Sequence, residues 1–200
     1  MSSISQLNEL LEAYTHAPAS DRQAIETDVF ARYGQRGAIF VLDMARFSPT
    51  SLDCGIVYYL TLVRRMQLIV GPLVEQHDGT IVKFEADNCF AYFATVDQAL
   101  AASLAIHDAL AVANRSTPED LDIAVAIGID HGDFLLIESC DFFGNPVNLA
   151  SKLGEDIGDG GDILLTQGAY DTLTDPSRHH FAVSDHELSG LSLRIHTLQL

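Results

Sequence analysis

The chain has 200 residues, of which 48% are hydrophobic and 20% charged, as is typical of one globular domain with a full core and a short appendage. Twenty-eight acidic residues against eleven basic ones give a net charge of −17. This surplus of negative charge argues against non-specific binding to nucleic acid or to anionic lipid. If the ligand is a polyphosphate, metal ions must supply much of the positive charge.

The cysteines and the apolar runs indicate the compartment. Cys54, Cys89 and Cys140 are an odd number without metal-ligand spacing, which fits a reducing environment. We see no apolar run long enough to span a bilayer and no signal peptide at the start. We therefore expect a cytoplasmic protein that does not enter a membrane.

Residues 1–36 are predicted to form a helical appendage, separate from a main domain at residues 37–200. Apolar residues recur at helical spacing up to Leu11, Pro18 interrupts the pattern, and a second helix is predicted to end at Gly34. Two short amphipathic helices pack either on their own domain or on a partner chain. Residues 1–36 are thus also a candidate contact for a regulatory partner.

The first predicted strand, residues 38–42, delivers Asp43 at its carboxyl end. A polar turn follows, and Ser51 or Asp53 is predicted to cap a helix that runs to about residue 70. Gly71-Pro72 would disrupt or end this helix, unless residues 73–75 prolong it around a kink. Its predicted inward side chains are Ile56, Leu60, Val63 and Ile69.

The central stretch, residues 81–93, reads as a hairpin. Two runs rich in Val, Ile, Phe and Tyr suit buried strands, and the polar tip at residues 85–88 holds Asp87 at a fixed point. Carboxylates at neighbouring strand ends, Asp43 and Asp87, can bind divalent cations of the kind used in phosphoryl and nucleotidyl transfer. The alternative is that each aspartate only serves its own turn.

The later elements complete a strand–helix–strand–strand–helix–strand order, which is the split βαβ arrangement with further elements at one edge. Asp97 is predicted to cap an alanine-rich helix. A strand at residues 121–129 is expected to reach a turn at Asp130-His131-Gly132, from which residues 134–137 pair back. The remaining predictions are a loop at 141–146, a helix at 147–153, a strand at 163–166, a helix at 167–173, and strands at 181–183 and 193–198.

Four separated motifs resemble the class III adenylyl/guanylyl cyclase catalytic domain, in that family's order, over about residues 37–200. They are FVLDMARFS, GTIVKFEADNCFAYF, AIGIDHG and DFFGNPVNLASKLGE, and four matches in order are far more specific than one. The resemblance implies an α+β fold, with a ferredoxin-like split βαβ-βαβ core and an added C-terminal α/β segment.

The resemblance also implies the metal chemistry. Asp43 and Asp87 would be the metal ligands, with the Met44 carbonyl as an auxiliary one, for two Mg²⁺ or Mn²⁺ ions per site. The ribose 3′-hydroxyl of a nucleoside triphosphate would attack the α-phosphate in line, and pyrophosphate would depart. Because the family's pocket lies between two domains, a single-domain chain would work as a homodimer with two equivalent sites.

In family members of the adenylyl type, residues at the positions of Lys83 and Asp141 read the purine. A lysine donor and an aspartate acceptor suit adenine, which offers a ring-nitrogen acceptor and an amino donor, so ATP is the expected substrate. Asn148 falls where the family positions the ribose. The alternatives are that Lys83 is a strand residue with its head in water, and that Asn148 is a helix-start cap.

Several positions depart from the family pattern. Lys152 stands where the family usually has an arginine that stabilises the transition state, and lysine lacks the planar fork of arginine. Arg46 replaces a glycine beside the triphosphate, and with Phe47 is counted among the substrate-binding residues. Ala126 and Ser189 replace basic residues, and Ala86 replaces a glycine.

These departures leave three hypotheses open. The first is a slow adenylyl cyclase. The second is a nucleotide-binding regulatory module that has lost turnover and dimerises with a partner, and the third is a cyclase that uses another nucleoside triphosphate. Lys152 itself could merely end an amphipathic helix.

Overall fold

The computed structural model describes residues 3–45, 54–138, 140–188 and 190–200, which contain six α-helices and eight strands. The helices are α1 (Ser3–His16), α2 (Ala19–Tyr33), α3 (Ile56–Gln76), α4 (Val96–Asn114), α5 (Asn145–Lys152) and α6 (Gln167–Tyr170). The strands are β1 (Gly34–Met44), β2 (Thr80–Glu85), β3 (Asn88–Phe93), β4 (Val125–Ile137), β5 (Asp141–Phe143), β6 (Ile163–Thr166), β7 (Phe181–Leu188) and β8 (Leu191–Leu198).

The strands form one sheet in the order β2-β3-β1-β4-β6-β8-β7, with β5 paired to β4. The β4–β6 pairing is parallel and the others are antiparallel. The first four strands in this order are the predicted split βαβ core, and β6, β8 and β7 extend it at one edge. The predicted α+β fold is confirmed.

Strand β1 lies inside the sheet, between β3 and β4, and is covered on both faces. Its residues Ala38–Leu42 are fully buried, which is why they form a continuous apolar run rather than an alternating one. Phe40 and Leu42 face a core built with α3 and α4, whereas Ile39 and Val41 face a second core that includes Ala150 of α5. Since strand side chains alternate, Asp43 faces the α5 side.

Helix α3 differs from its prediction in length and in its inward face. It continues through Pro72 to Gln76, so Gly71-Pro72 does not end it. Val63 is buried as expected, but Ile56 and Leu60 are 67% and 54% exposed. The buried stripe is instead Leu62, Val63, Met66, Val70, Gly71 and Val74. The predicted caps at Ser51 and Asp53 lie outside the described residues.

Helix α4 is the alanine-rich helix, and Thr95 rather than Asp97 caps it. The Thr95 hydroxyl accepts a hydrogen bond from the Gln98 N–H, and the Gln98 side chain accepts one from the Thr95 N–H, forming a capping box. By length and composition alone this helix could cross a membrane. Here it is a core helix, because side chains such as Ile106 are buried against the sheet.

Strand β4 runs without interruption from Val125 to Ile137, so the predicted turn at Asp130-His131-Gly132 is wrong. The two glycines of AIGIDHG have a packing role instead. A Cβ atom on Gly128 would lie 2.1 Å from the Ala150 carbonyl oxygen, and one on Gly132 would lie 2.8 Å from Pro146. Glycine at both positions lets α5 approach the strand closely.

Helices α1 and α2 pack as a pair on the far end of β4. Leu7, Val29 and Tyr33 form a small core with Ile137. Strand β1 begins at Gly34, directly after α2, whereas the domain division between residues 36 and 37 stays a prediction.

Differences from prediction near the C-terminus are small. The expected loop at 141–146 contains β5, α6 ends at Tyr170, and the last two strands are longer than predicted.

Candidate active site

Two aspartates meet where β1 ends beside the turn between β2 and β3. Strands β1 and β3 pair antiparallel, with Leu42 opposite Cys89, so the end of β1 lies beside the start of β3. Asn88 joins them: with its amide assigned so that the nitrogen faces β1, it donates to Asp43 Oδ1 at 2.7 Å and to the Leu42 carbonyl at 3.2 Å. The predicted meeting of Asp43 and Asp87 is thus observed, while the role of Asn88 was not predicted.

The electrostatics of this corner are dominated by negative charge. Burial, and then the charges of Asp87 and Glu155, raise the pKa of Asp43 to about 7, although the Met44 N–H opposes this by donating to the carboxylate. Burial and the charges of Asp156 and Asp87 likewise raise the pKa of Glu155. We call Asp43, Asp87 and Glu155 the carboxylate cluster.

Glu155 was not predicted, although it lies only three residues after Lys152. It belongs to a π-helical turn, Leu153–Ile157, that continues α5. Gly154 brings this turn against β1, since a Cβ on it would lie 3.2 Å from the Val41 carbonyl oxygen. Helical spacing from Lys152 was the signal that could have indicated it.

The donor chemistry of the carboxylate cluster suits a hard divalent cation. Carboxylate oxygens are the ligands that Mg²⁺ and Mn²⁺ prefer, and a cation would offset the repulsion that raises the pKa of Asp43. Within the described residues, no three His, Cys, Asp or Glu side chains are arranged to hold a metal by themselves. A bound ion would therefore need further oxygen donors, such as substrate phosphates or backbone carbonyls. Met44, whose carbonyl was predicted to be one, ends β1.

A second group of charges surrounds Lys83, and here the charges are compensated. The Lys83 ammonium lies 2.9 Å from Glu85 Oε2 and 3.2 Å from Asp141 Oδ1, and 5.2 Å from the centroid of the Phe90 ring. These carboxylates, Glu85 first, raise the pKa of Lys83. We call Lys83, Glu85 and Asp141 the lysine cluster.

Lys83 reaches this position because of an irregularity in β2. The register with β3 shifts between Ile81 and Lys83, as at a β-bulge. Ile81 and Phe84 pack in the first core and Val82 in the second, while the Lys83 ammonium lies over Phe90 of the second core. Lys83 and Asp141 are thus brought together as predicted, whereas Glu85 was missed.

Helix α5 carries the remaining predicted residues. Asn148 is exposed, and it is not a helix-start cap, because Gly144 occupies the N-cap position. The Lys152 ammonium lies 3.7 Å from Asp156 Oδ2, and its charge lowers the pKa of Glu155. Lys152 therefore lies beside the carboxylate cluster rather than pointing only into water.

Ala126 lies directly opposite Asp43 in the β1–β4 ladder and is 1% exposed. A Cβ on Gly158 would be 2.7 Å from the Ala126 Cβ, so Gly158 packs directly against this alanine. Arg46, Phe47 and Ser189, also singled out in the sequence, lie outside the described residues.

The chain is similar to known nucleotide cyclases. The family model of the adenylate and guanylate cyclase catalytic domain matches residues 34–199. A curated relative, "Putative adenylate cyclase 3" of Rhizobium meliloti (strain 1021), is 29% identical over 136 residues, which are 68% of this chain and 23% of the relative. The chain thus spans less than a quarter of that relative's length.

Several solved structures have a fold similar to that of this chain. An adenylate/guanylate cyclase/hydrolase from Silicibacter pomeroyi is 30% identical, with a TM-score of 0.68, over 82% of this chain and 96% of its own. The guanylyl cyclase Cya2 is 19% identical with a TM-score of 0.72, over 82% and 92% of the two chains. A bacterial light-regulated adenylyl cyclase is 21% identical with a TM-score of 0.70, and covers 98% of this chain and 61% of its own.

Proposed function

This chain belongs to the class III adenylate and guanylate cyclase catalytic domain family, and we propose that it is a nucleotidyl cyclase that converts ATP to 3′,5′-cyclic AMP and pyrophosphate. The observation that carries the choice of ATP is the 3.2 Å contact between the Lys83 ammonium and the Asp141 carboxylate. Together these groups offer one donor and one acceptor, the complement of the ring nitrogen and amino group of adenine. The description of the Rhizobium meliloti relative as a putative adenylate cyclase supports the same choice.

Asp43 and Asp87 would hold two Mg²⁺ or Mn²⁺ ions. When bound, such ions lower the pKa of the ribose 3′-hydroxyl and offset the charge of the triphosphate and of the departing pyrophosphate. Asn88 keeps the Asp43 carboxylate in one orientation through its 2.7 Å hydrogen bond. Preorganised ligands of this kind lower the reorganisation that the reaction requires.

Asn148 and Lys152, one turn apart on α5, would act on the sugar and phosphates. Asn148 is exposed and can orient the ribose so that its 3′-hydroxyl lies in line with the α-phosphate. Lys152 would place one positive charge near the phosphate as charge develops in the transition state. Arg46 and Phe47 would contact the bound nucleotide from the segment after β1.

The complete site would form in a homodimer, with the metal half of one chain facing the base and ribose half of its partner. Two equivalent sites follow from such an isologous pair. We place the protein in the cytoplasm, and propose that α1 and α2 are the contact for a regulatory partner.

One observation favours a second candidate, a nucleotide-binding regulatory module with little or no turnover. Among the described residues the site has few cations: Lys152 lies 3.7 Å from Asp156, and Ala126, where the family has a basic residue, is a buried alanine. Such a protein would bind nucleotide but not cyclise it.

The deciding experiment is incubation of the purified protein with Mn²⁺ and, separately, ATP, GTP, CTP and UTP, followed by chromatographic identification of the product. We expect cyclic AMP from ATP, and little product from the other three. Binding of ATP without product would favour the regulatory module. A larger yield of cyclic GMP, CMP or UMP would contradict the proposed substrate.

A further inference from the structure

Glu85 belongs neither to the carboxylate cluster nor to the pair that is proposed to read the base, yet it makes the shorter of the two ion pairs of Lys83. The distance from the Lys83 ammonium to Glu85 Oε2 is 2.9 Å, against 3.2 Å to Asp141 Oδ1. Lys83 and Glu85 are both on β2, two residues apart, so their side chains leave the same face of the strand.

The consequence for Lys83 is a defined position for its ammonium group. A lysine ammonium has three N–H donors on a flexible four-carbon stem. Glu85 Oε2 and Asp141 Oδ1 lie within ion-pair distance of this ammonium, and the Phe90 ring lies 5.2 Å away. The two carboxylates therefore fix where the ammonium lies and limit the directions in which it can donate to a ligand.

We propose that Glu85 is a specificity-determining positioning residue, which holds the Lys83 ammonium so that one of its N–H donors meets the ring nitrogen of adenine. This inference rests on the proposed function, since it deepens the reading of the base by Lys83 and Asp141. Glu85 also shares the positive charge of Lys83. Asp141 therefore keeps acceptor capacity for the adenine amino group.

A guanine base would gain nothing from this arrangement. Its ring nitrogen on the corresponding edge carries a proton and its exocyclic group is a carbonyl, so the fixed lysine donor faces another donor. Fixing the ammonium therefore raises the preference for adenine, rather than the affinity for every nucleotide.

The test compares Glu85→Gln, which keeps the shape and removes the charge, with Glu75→Gln, the same change at an exposed position on α3. Initial rates with ATP and GTP at saturating Mn²⁺ give KM and kcat. Calorimetry with 3′-deoxy-ATP and 3′-deoxy-GTP, which lack the attacking hydroxyl, gives affinities without turnover.

For Glu85→Gln we expect KM for ATP and Kd for 3′-deoxy-ATP to rise about fivefold, the upper end for an exposed ion pair. We expect kcat to be unchanged and the guanine nucleotides to change by less than about twofold. Glu75→Gln should match the parent. In a Lys83→Met background the Glu85→Gln change should have no further effect, because the residue it positions is gone.

The inference would be wrong if Glu85→Gln changed the affinities for 3′-deoxy-ATP and 3′-deoxy-GTP by the same factor. It would also be wrong if the variant bound 3′-deoxy-ATP more tightly than the parent, because Glu85 would then compete with the base for Lys83. The parent enzyme tests the proposed function separately. A parent that binds 3′-deoxy-ATP but does not cyclise ATP refutes the cyclase activity, and the binding ratios still decide the role of Glu85.

Discussion

The carboxylate cluster and the lysine cluster both hold ionisable side chains at or near the β2–β3 hairpin, but their charges are balanced in opposite ways. In the carboxylate cluster the charges are alike, and burial with mutual repulsion raises the pKa of Asp43 to about 7. In the lysine cluster the charges are opposite, and two carboxylates lie within 3.2 Å of one ammonium.

This difference separates a site that needs a ligand from one that is already formed. Like charges that are partly withdrawn from water repel one another until a cation offsets them. Charges that are already paired need only exchange some of these contacts for contacts with a base. The first cluster should therefore govern metal binding and rate, and the second should govern which base is accepted.

The largest expected effect is the loss of cyclisation rate when an aspartate of the carboxylate cluster is removed. Asp43→Ala or Asp87→Ala should lower the cyclisation rate by roughly a thousandfold or more, because a metal site is worth several kcal/mol of transition-state stabilisation. Product formation by each folded variant is the measurement. Asp122→Ala, at an exposed position before β4, is the control, and undiminished turnover in either site variant would exclude the two-metal assignment.

Complementation tests whether the two halves come from different chains. Asp87→Ala and Asn148→Ala should each be inactive alone. Mixed in equal amounts with exchange of subunits, they should recover about a quarter of the parental rate, since half of the dimers carry one intact site of two. A mixture that stays inactive, although labelled subunits demonstrably exchange, would rule out the shared site.

Lys152 belongs, with Asn148, to the half of the site that is proposed to act on the sugar and phosphates. Lys152→Ala should raise the activation free energy for kcat by about 2–4 kcal/mol, as expected when one preorganised charge-stabilising group is lost. The affinity for nucleotide should change little. Lys152→Arg should hold or raise the rate, because the guanidinium can engage two phosphate oxygens. An alanine variant as fast as the parent would remove Lys152 from the site.

The repulsion within the carboxylate cluster should be visible in stability. The pKa of Asp43 is raised from 3.8 to about 7, so folding favours the protonated carboxyl, and stability is lost as the pH rises from about 4 through 7. With a chelator at pH 8, Asp43→Asn should be more stable by about 1–2 kcal/mol, a value reduced for solvent screening. Denaturant unfolding at pH 8 and pH 4 measures this, and an equal gain at both would disprove the charge effect.

The smallest effect concerns the turn between the clusters. Ala86 has a φ of 51°, in the left-handed region that glycine occupies without penalty. Ala86→Gly should therefore raise the free energy of unfolding by about 1 kcal/mol while leaving Asp87 in place. Thermal unfolding measures the stability of this variant and of a control, Ala94→Gly, at an exposed alanine after β3. If Ala86→Gly were less stable than the parent, the claim that Ala86 is strained would be wrong.

The order of helices and strands in the split βαβ core could be predicted from the sequence because each of these elements has a strong local sequence pattern. The apolar run at residues 38–42, the hairpin tip at Asp87 and the alanine-rich helix each correspond to an observed element. The prediction of a turn at residues 130–132 was wrong because it rested on aspartate and glycine, which are common in turns but occur in strands as well. Here Gly128 and Gly132 make room for α5, which is a tertiary contact that local sequence does not reveal.

The two residue pairs of the site were predicted from the sequence, but the acidic residues beside them were not. Asp43 with Asp87 and Lys83 with Asp141 meet as expected. Glu85 escaped notice because the bulge in β2 that turns Lys83 towards Phe90 has no sequence signal of its own. Glu155 was missed because its closeness to Asp43 depends on the π-helical turn packing on β1.

The long ladder between β1 and β4 has a consequence for the order of folding. Leu42 pairs with Ile127, more than eighty residues later in the chain, and contacts of such sequence separation form slowly because the intervening loop must close first. On a ribosome, β1 therefore waits for β4 to be synthesised before its second edge is paired. The β2–β3 hairpin that carries Asp87 needs only local contacts, and can form while Asp43 is still unplaced.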